Sequence, residues 1–301
     1  MRWKKLGLLF NPKYIRSYGL SASLMPIADV LDMDAGIVRV FFSPRDNYGR
    51  SQVRFFDYNL KESRILQVSD QALLLPGKLG TFDDSGITLG SMIKNQNATY
   101  LYYTGWNRTV TVPMNNSIGI AKLENGRRFM RLGDGPILTR TLEEPYSCAS
   151  PFVLKDDNRF KMWYASMDRW DNIDGSVRHY YNIKYAESND GINWIRNNTV
   201  AINYQNNEEY AFGRPFVLKE NGIFKMWYSF RGDFYKIGYA ESDNGIEWNR
   251  QDADAGIDTS DYGWDSEMIE YPYIFECIGN RYMLYNGNGY GKSGIGIAIY
   301  G

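Results

Sequence analysis

The chain has 301 residues, enough for one large all-β domain or two smaller domains. Its 34 basic and 35 acidic residues leave a net charge of -1, so the sequence lacks the basic character of a nucleic-acid-binding protein. No apolar run approaches membrane-spanning length, and the two cysteines do not form a disulfide framework of the kind seen in secreted domains. We therefore expect a cytoplasmic protein with no nucleic-acid partner and no membrane span.

The first predicted element is a β-strand at residues 2–10. Its apolar stretch, residues 6–10, is too short for the core of a signal peptide. Its opening, Trp3-Lys4-Lys5, resembles Trp194-Ile-Arg196 and Trp248-Asn-Arg250, which each come at the end of a repeated unit described below. Residues 2–10 therefore have the character of the last strand of such a unit.

Two units in the middle of the chain nearly copy each other. One runs from Pro151-Phe-Val-Leu-Lys through Phe160-Lys-Met-Trp-Tyr164 and Tyr185-Ala-Glu-Ser188 to Gly191-Ile-Asn-Trp194. The other runs from Pro215-Phe-Val-Leu-Lys through Phe224-Lys-Met-Trp-Tyr228 and Tyr239-Ala-Glu-Ser242 to Gly245-Ile-Glu-Trp248. Each contains four short strand-like stretches, A to D, separated by turn residues, which is typical of a propeller blade.

An aromatic residue at the end of strand B recurs once in each blade and so gives the number of blades. It recurs at Phe42, Tyr103, Tyr164, Tyr228 and Tyr285, and subtracting successive positions gives intervals of 61, 61, 64 and 57 residues. Five such units use the whole chain, so we predict one all-β domain over residues 1–301, a five-bladed β-propeller with four-stranded antiparallel blades. The A strands are predicted near 22–32, 86–95, 150–156, 214–220 and 271–278.

The fifth unit ends after its third strand, at 294–300. Residues 2–10 are predicted to pair with it as the outer strand, which closes the ring and covers an exposed edge. The segments Ser188-Asn-Asp-Gly-Ile-Asn-Trp194 and Ser242-Asp-Asn-Gly-Ile-Glu-Trp248 resemble the Asp-box of sialidases. We interpret them as turns between strands C and D, because Asn, Asp and Gly favour turn geometry.

Polar residues should gather at one mouth of the central channel. Strands A and B are antiparallel, so the entrance to A and the exit from B lie at the same end of a blade. Paired carboxylates there suit chemistry at a glycosidic bond, arginines suit phosphate or carboxylate, and aromatic rings suit sugars. The candidate catalytic residues are Asp84, Glu144, Glu209, Asp265 and Glu267. The candidate substrate-binding residues are Arg45, Asp83, Trp106, Arg169, Trp170, Arg214, Arg231, Glu270 and Asn286.

These candidates have a plainer interpretation as well. A single charged loop residue is more often merely solvated, and an arginine is as well explained by a neighbouring acid. Recurrence over four or five blades favours a site. His179 is the single histidine, which argues against a histidine-rich metal centre; we expect it to be an exposed loop residue, and we expect Cys148 to be a small buried one. No motif demands a metal or a cofactor, and none is predicted.

Several scaffold motifs carry a family resemblance. They are Phe82-Asp-Asp-Ser-Gly86, Pro151-Phe-Val-Leu, Lys161-Met-Trp-Tyr164, Tyr239-Ala-Glu-Ser242, and Tyr271-Pro272 followed by Tyr285-Asn-Gly287. Across all five blades the chain resembles the arabinanase, levansucrase and invertase superfamily of five-bladed propeller glycosidases (glycoside hydrolase families 43 and 32), with mannoside phosphorylases as relatives. The resemblance implies a carbohydrate-active enzyme.

The chain departs from that family at its catalytic positions. The family's hydrolases carry acids at the A-strand entrances of blades one, three and four. Here the first entrance, Ser21-Ala-Ser-Leu-Met25, has no acid, Ser150 stands where an invertase-like enzyme carries Asp, and Gly213-Arg214 stand at the fourth. Asp84, directly before a channel strand, is the first choice for a catalytic carboxylate, and Arg214 is the first choice for an anion contact.

These departures favour glycosyl transfer or phosphorolysis over hydrolysis. The donor would be a sugar phosphate or nucleotide sugar, because phosphate is already a leaving group and mainly needs its charge neutralised. Surface-polysaccharide synthesis is a setting suggested by analogy. Two other classes stay open: a glycoside hydrolase with relocated acids, and a non-catalytic sugar-binding propeller.

Overall fold

The computed structural model describes residues 2–301, which form five separate four-stranded sheets. Each sheet is antiparallel, and four of them follow chain order from strand A to strand D. In the fifth sheet, the outer position is occupied by the strand nearest the N-terminus. The architecture is the five-bladed β-propeller that the sequence repeat predicts.

The strands of blades 1 and 2 are β2 (Ser21–Asp32), β3 (Ile37–Arg45), β4 (Arg54–Asn59), β5 (Arg64–Val68), β6 (Gly86–Asn95), β7 (Ala98–Arg108), β8 (Met114–Glu124) and β9 (Arg128–Arg131). Those of blades 3 and 4 are β10 (Cys148–Asp156), β11 (Arg159–Ile173), β12 (Ser176–Ser188), β13 (Val200–Ile202), β14 (Gly213–Glu220), β15 (Ile223–Arg231), β16 (Tyr235–Ser242) and β17 (Asn249–Arg250). Blade 5 contains β18 (Glu270–Cys277), β19 (Asn280–Asn286), β20 (Ile295–Tyr300) and β1 (Trp3–Phe10). Short 3-10 helices lie at Pro12–Tyr18 and Asp252–Asp254.

Strand β1 closes the ring, as predicted. It pairs antiparallel with β20 from Trp3 opposite Tyr300 to Phe10 opposite Ile295. Phe10 is fully buried and stacks on Phe56 of blade 1, with ring centroids 4.4 Å apart. Because β1 belongs to blade 5 and its last residue packs on blade 1, this one strand ties together the two ends of the blade series.

The Asp-box-like segments are turns that join neighbouring blades. The hydroxyl of Tyr102 in blade 2 donates to the carbonyl of Gly191 in blade 3 at 2.9 Å, and the indole N–H of Trp163 donates to Gly245 of blade 4 at 2.8 Å. Both glycines have φ 76°, a conformation that disfavours other residues, and a Cβ on Gly191 would lie 2.6 Å from the Tyr102 oxygen. The structural interpretation of these segments is confirmed.

A β-bulge interrupts the A strands close to the channel. In four blades a non-glycine residue with positive φ stands directly before a proline, namely Met25, Ser150, Arg214 and Tyr271, with φ between 50° and 59°. Such a conformation costs about 1–3 kcal/mol at each residue and is retained where the structure needs it. All four residues line the central cavity described below, so the bulge places these residues at the mouth of the central channel.

The state of the cysteines and the search for a membrane-spanning helix relate to two expectations from the sequence. Cys148 and Cys277 are free and buried. No helix within residues 2–301 is long and apolar enough to cross a membrane.

Candidate functional site

A cavity of about 660 Å³ lies at the channel mouth and is lined by residues from all five blades. This volume is within the usual range for a small-molecule site. Its cationic lining residues are Arg45, Arg108, Arg214 and Arg231, and among the described residues that line it there is no aspartate or glutamate. The mouth is therefore electropositive.

Three of these arginines carry unneutralised charge. Within residues 2–301, no carboxylate lies within 4.0 Å of Arg45, Arg108 or Arg231. Arg108 instead donates to the carbonyl of Tyr48, and Arg231 donates to the hydroxyl of Tyr290. An arginine without an acidic partner keeps its donors and its charge available for an anion.

A flat aromatic face adjoins one of the arginines. The guanidinium of Arg45 lies 5.9 Å from the ring centroid of Trp106, and the indole N–H of Trp106 donates to Ser51 Oγ at 2.9 Å. This hydrogen bond fixes the orientation of the ring. An oriented tryptophan beside a free cation can bind the apolar face of a sugar and an attached anion together.

Arg214 is engaged differently from the other three. Its guanidinium is almost fully buried and reaches from blade 4 to blades 1 and 2, where Nη2 donates to the carbonyl of Pro26 at 2.8 Å and Nη1 to that of Gly90. Burial lowers its pKa to about 10. The Nε atom has no hydrogen-bond partner. Arg214 thus bridges the channel, and its role as an anion contact stays a prediction.

His179 lies in the cavity wall, so the expectation of an exposed loop residue was wrong. Strands β11 and β12 extend into a long hairpin, and His179 is a half-buried residue of β12. Burial, together with the charges of Arg231 and Arg178, lowers its pKa to about 4. Its imidazole is therefore neutral near pH 7. The length of the insert between strands B and C was the signal that could have indicated a hairpin.

Glu270 is the carboxyl group with the most unusual surroundings. It is fully buried at the start of β18, and neither carboxyl oxygen has a hydrogen-bond partner. Burial raises its pKa well above the ordinary value, and the neighbouring Tyr271 and the charge of Arg231 offset this rise only in part. Tyr271 and Arg231 both line the cavity. Glu270 therefore lies behind the cavity wall in surroundings that favour its neutral form.

The other acids at the A-strand entrances share a repeated arrangement, which we name the blade brace. In blade 2, Asp83 accepts from the Tyr103 hydroxyl at 3.1 Å and from Arg131 Nε at 2.8 Å. Tyr103 is the aromatic residue near the end of strand B that recurs in each blade, and Arg131 belongs to strand D. The brace thus joins the entrance of a blade to its own outer strands.

Blades 3 to 5 repeat the brace with other residues. Glu144 accepts from Tyr164 at 2.9 Å and lies 3.7 Å from Arg196, and Asp265 accepts from Tyr285 at 3.0 Å and from Lys5 at 2.8 Å. In blade 4, Glu209 forms a bidentate pair with Arg250 at 2.9 Å, while Tyr228 donates to Asp252.

The brace explains two features of the sequence. The third residue of the outer-strand pattern, Lys5, Arg196 or Arg250, is basic because it pairs with the acid at the entrance of its blade. Blade 1 has Phe42 where the other blades have tyrosine, and its entrance, residues 11–20, contains no acid. The brace carboxylates contact strands B to D of their own blades, and none of them lines the central cavity.

Two further candidate acids also lie outside the cavity lining. Asp84 accepts from Gly80 N–H at 3.0 Å, Asn107 Nδ2 at 2.7 Å and Ser85 Oγ at 2.9 Å. Partial burial works to raise its pKa, but these hydrogen bonds outweigh it and hold the pKa below the ordinary value. Glu267 is exposed. Asp84 therefore has the environment of a turn carboxylate rather than of a proton donor.

The remaining candidates divide between surface and scaffold. Arg169 pairs with Asp168 and Asp171, so its charge is neutralised. Trp170 packs edge-on against the cavity residue His179, with ring centroids 5.8 Å apart. Asn286 is fully buried and joins blade 5 to blade 1 through the Ser23 carbonyl and the Met25 N–H. In residues 2–301 no group of three or more His, Cys, Asp or Glu side chains is arranged to hold a metal ion.

Solved structures share this fold. A glycoside hydrolase superposes with a TM-score of 0.74 at 16% identity, over 98% of this chain and 90% of that one. A thermostable family-43 glycoside hydrolase superposes with a TM-score of 0.68 at 15% identity, over 93% and 89%. The fold is therefore that of the five-bladed propeller glycosidases, as the scaffold motifs implied.

Sequence comparison adds two kinds of relative. No model of a known protein family matches the chain. A 1,2-beta-oligomannan phosphorylase of Thermoanaerobacter sp. (strain X514) is 28% identical over 155 residues, 49% of this chain and 52% of that protein. The uncharacterized protein Rv1502 of Mycobacterium tuberculosis (strain ATCC 25618 / H37Rv) is 37% identical over 300 residues, 99% of both chains. The chain therefore belongs to the same protein family as Rv1502.

Proposed function

We propose that the chain is a glycosyl-group enzyme that acts on a phosphorylated sugar, by glycosyl transfer or phosphorolysis. The observation that carries this proposal is the electropositive mouth, where Arg45, Arg108 and Arg231 have no acidic partner and Trp106 offers a flat face. The glycosidase scaffold and the partial similarity to a phosphorylase support the choice of a sugar substrate. We propose a cytoplasmic location, where such donors are made.

The chemistry of the mouth suits a phosphate leaving or attacking group. When a bond between the anomeric carbon and a phosphate oxygen breaks or forms, negative charge on the phosphate oxygens changes at the reacting centre. Guanidinium groups that face the reacting centre stabilise that charge. A phosphate leaving group also needs less help from a general acid than a sugar hydroxyl does.

Glu270 is the carboxyl group that we place in the reaction, in preference to Asp84. It adjoins the cavity residues Tyr271 and Arg231, and burial favours its protonated form. A neutral carboxylic acid can donate a proton to a departing oxygen, or return as a base once it has done so. Asp84, by contrast, is a turn carboxylate whose three hydrogen bonds hold its pKa below the ordinary value.

Two other functions compete with this proposal. Glu270 would also serve a glycoside hydrolase with relocated acids, although none of the described residues that line the cavity supplies the partner carboxylate that hydrolases use. A non-catalytic sugar-binding propeller would use Trp106 and the arginines without any reaction.

Turnover assays separate the three classes. The purified protein is incubated with labelled sugar 1-phosphates and sugar nucleotides, each with and without a panel of sugar acceptors. We expect transfer to an acceptor, or phosphate release that depends on one. Hydrolysis of aryl glycosides without phosphate or nucleotide would instead identify a hydrolase, and saturable binding without turnover would identify a binding module.

A further inference from the structure

A second cavity of about 470 Å³ adjoins the central one between blades 5 and 1. We call it the side groove. Its cations are Arg16, Arg45 and Lys292, and among the described residues that line it none is acidic. The two cavities share the lining residues Leu24, Arg45 and Tyr290, so they lie side by side.

The cations of the side groove are as free as those of the central cavity. Among the described residues, 2–301, no carboxylate lies within 4.0 Å of Arg16 or Lys292. Both side chains are exposed, so each can move toward a ligand at little cost. Three unpaired cations around a concave surface attract a multivalent anion more strongly than a monovalent one.

Arg45 has a position that links the two cavities. It faces the Trp106 ring in the central cavity and also lines the side groove. One guanidinium has five donors, so it can bind two adjacent phosphates at once. Arg231 would then complete the site for the phosphate nearer the sugar, and Arg16 and Lys292 the site for the phosphate farther from it.

We propose that the side groove binds a second phosphate, linked to the first, so that the donor is a sugar diphosphate of the nucleoside diphosphate class rather than a sugar monophosphate. This inference rests on the proposed function, since it extends the same anion site. It names a substrate class that the central cavity alone leaves open. A separate phosphorylated acceptor would have the same chemistry at the groove, and the binding experiment distinguishes it.

Calorimetric titrations with inorganic phosphate, pyrophosphate and a nucleoside diphosphate test the proposal without requiring turnover. Four proteins are compared: the wild type, the groove variant Arg16→Gln/Lys292→Gln, the control Lys122→Gln/Arg140→Gln, and the central variant Arg45→Gln/Arg231→Gln. The control pair is exposed, lines neither cavity, and removes the same two charges. Circular dichroism verifies that each variant is folded.

We expect wild-type protein to bind pyrophosphate and the nucleoside diphosphate about tenfold or more tightly than phosphate. The groove variant should lose this preference, because one good contact with the second phosphate contributes about tenfold in affinity. Its affinity for inorganic phosphate should stay within about twofold of the wild-type value. The control should keep the preference, and the central variant should lose affinity for all three anions.

Equal affinity for phosphate and pyrophosphate in the wild type would overturn the side-groove proposal and leave the proposed function intact. Binding of two phosphate ions with similar affinity, without a preference for pyrophosphate, would also overturn the side-groove proposal. That result would point to a separate phosphorylated acceptor. Absence of binding by all three anions would overturn the proposed function as well.

Discussion

Glu270 is a residue for which stability and function make opposite demands. A fully buried carboxyl group without a hydrogen-bond partner is costly, and its pKa is raised well above the ordinary value. A raised folded-state pKa contributes stability at pH values below the unfolded-state pKa, near 4.5. That contribution is lost as the pH rises toward the folded-state pKa. Such a group is retained where the reaction needs it.

The variant Glu270→Gln tests this assignment. We expect turnover to fall by about a hundredfold or more, because an amide cannot transfer the proton. The thermal midpoint should stay equal or rise, most clearly above neutral pH, because the amide does not ionise. The matched variant Glu267→Gln, in an exposed residue, should change neither quantity. Unchanged turnover in Glu270→Gln would remove Glu270 from the mechanism.

His179 gives a second test at the residue scale. Its folded-state pKa of about 4 lies below the usual value of 6.5, so the unfolded chain binds a proton that the folded chain rejects. Stability should therefore fall as the pH is lowered from about 6.5 to about 4, by at most about 3 kcal/mol from this residue. Denaturant unfolding across that window should show a shallower decline for His179→Gln. Parallel pH profiles of the two proteins would contradict the burial of this imidazole.

At the scale of the single blade, the brace predicts that tyrosine is preferred at position 164 and phenylalanine at the equivalent position 42. Tyr164→Phe should destabilise by about 1–2 kcal/mol, because Glu144 loses a buried hydrogen bond. Phe42→Tyr should also destabilise, by about 1–3 kcal/mol, because the first blade has no acid to accept from the new hydroxyl. Chemical denaturation measures both. A neutral Tyr164→Phe together with a stabilising Phe42→Tyr would refute the brace.

Blades also show which parts of the structure were predictable from the sequence. The spacing from Phe42 to Tyr285 predicts the blades and their A strands, because strand patterns and turn residues are local properties. Arg45, Trp106 and Arg231, which topology predicts at one mouth, all line the central cavity, and their part in binding stays a prediction.

The direction of the acidic side chains was not predictable in the same way. Glu144 and Asp265 lie at the predicted entrances, but their carboxylates point to a tyrosine and a cation of their own blade. Backbone topology places a Cα atom at a mouth and leaves the side chain free to point either way. The unpartnered state of Glu270 and the hairpin that carries His179 depend on tertiary contacts that no local pattern encodes.

For the whole molecule, ring closure by β1 predicts cooperative loss of structure. Deleting residues 2–10 would expose the edge of β20 and remove Phe10 from its stack on Phe56, as well as Lys5 from Asp265. We expect a large drop in the thermal midpoint, with the whole domain still melting in one transition. The control Leu6→Ser changes an exposed residue of the same strand and should behave as wild type. A truncated chain that melts like the full one would show that the ring does not need its closing strand.

The measurement that tests the central claim most directly is the affinity for a sugar 1-phosphate relative to the same free sugar. A panel of such pairs is titrated calorimetrically into wild type, Arg45→Gln/Arg231→Gln and Lys122→Gln/Arg140→Gln. If the electropositive mouth binds a phosphorylated sugar, at least one sugar 1-phosphate binds wild type about tenfold or more tightly than its free sugar. The preference should disappear in the first variant and persist in the second. Equal affinity for both members of every pair in the wild type, or a preference that survives loss of both mouth arginines, would contradict the account.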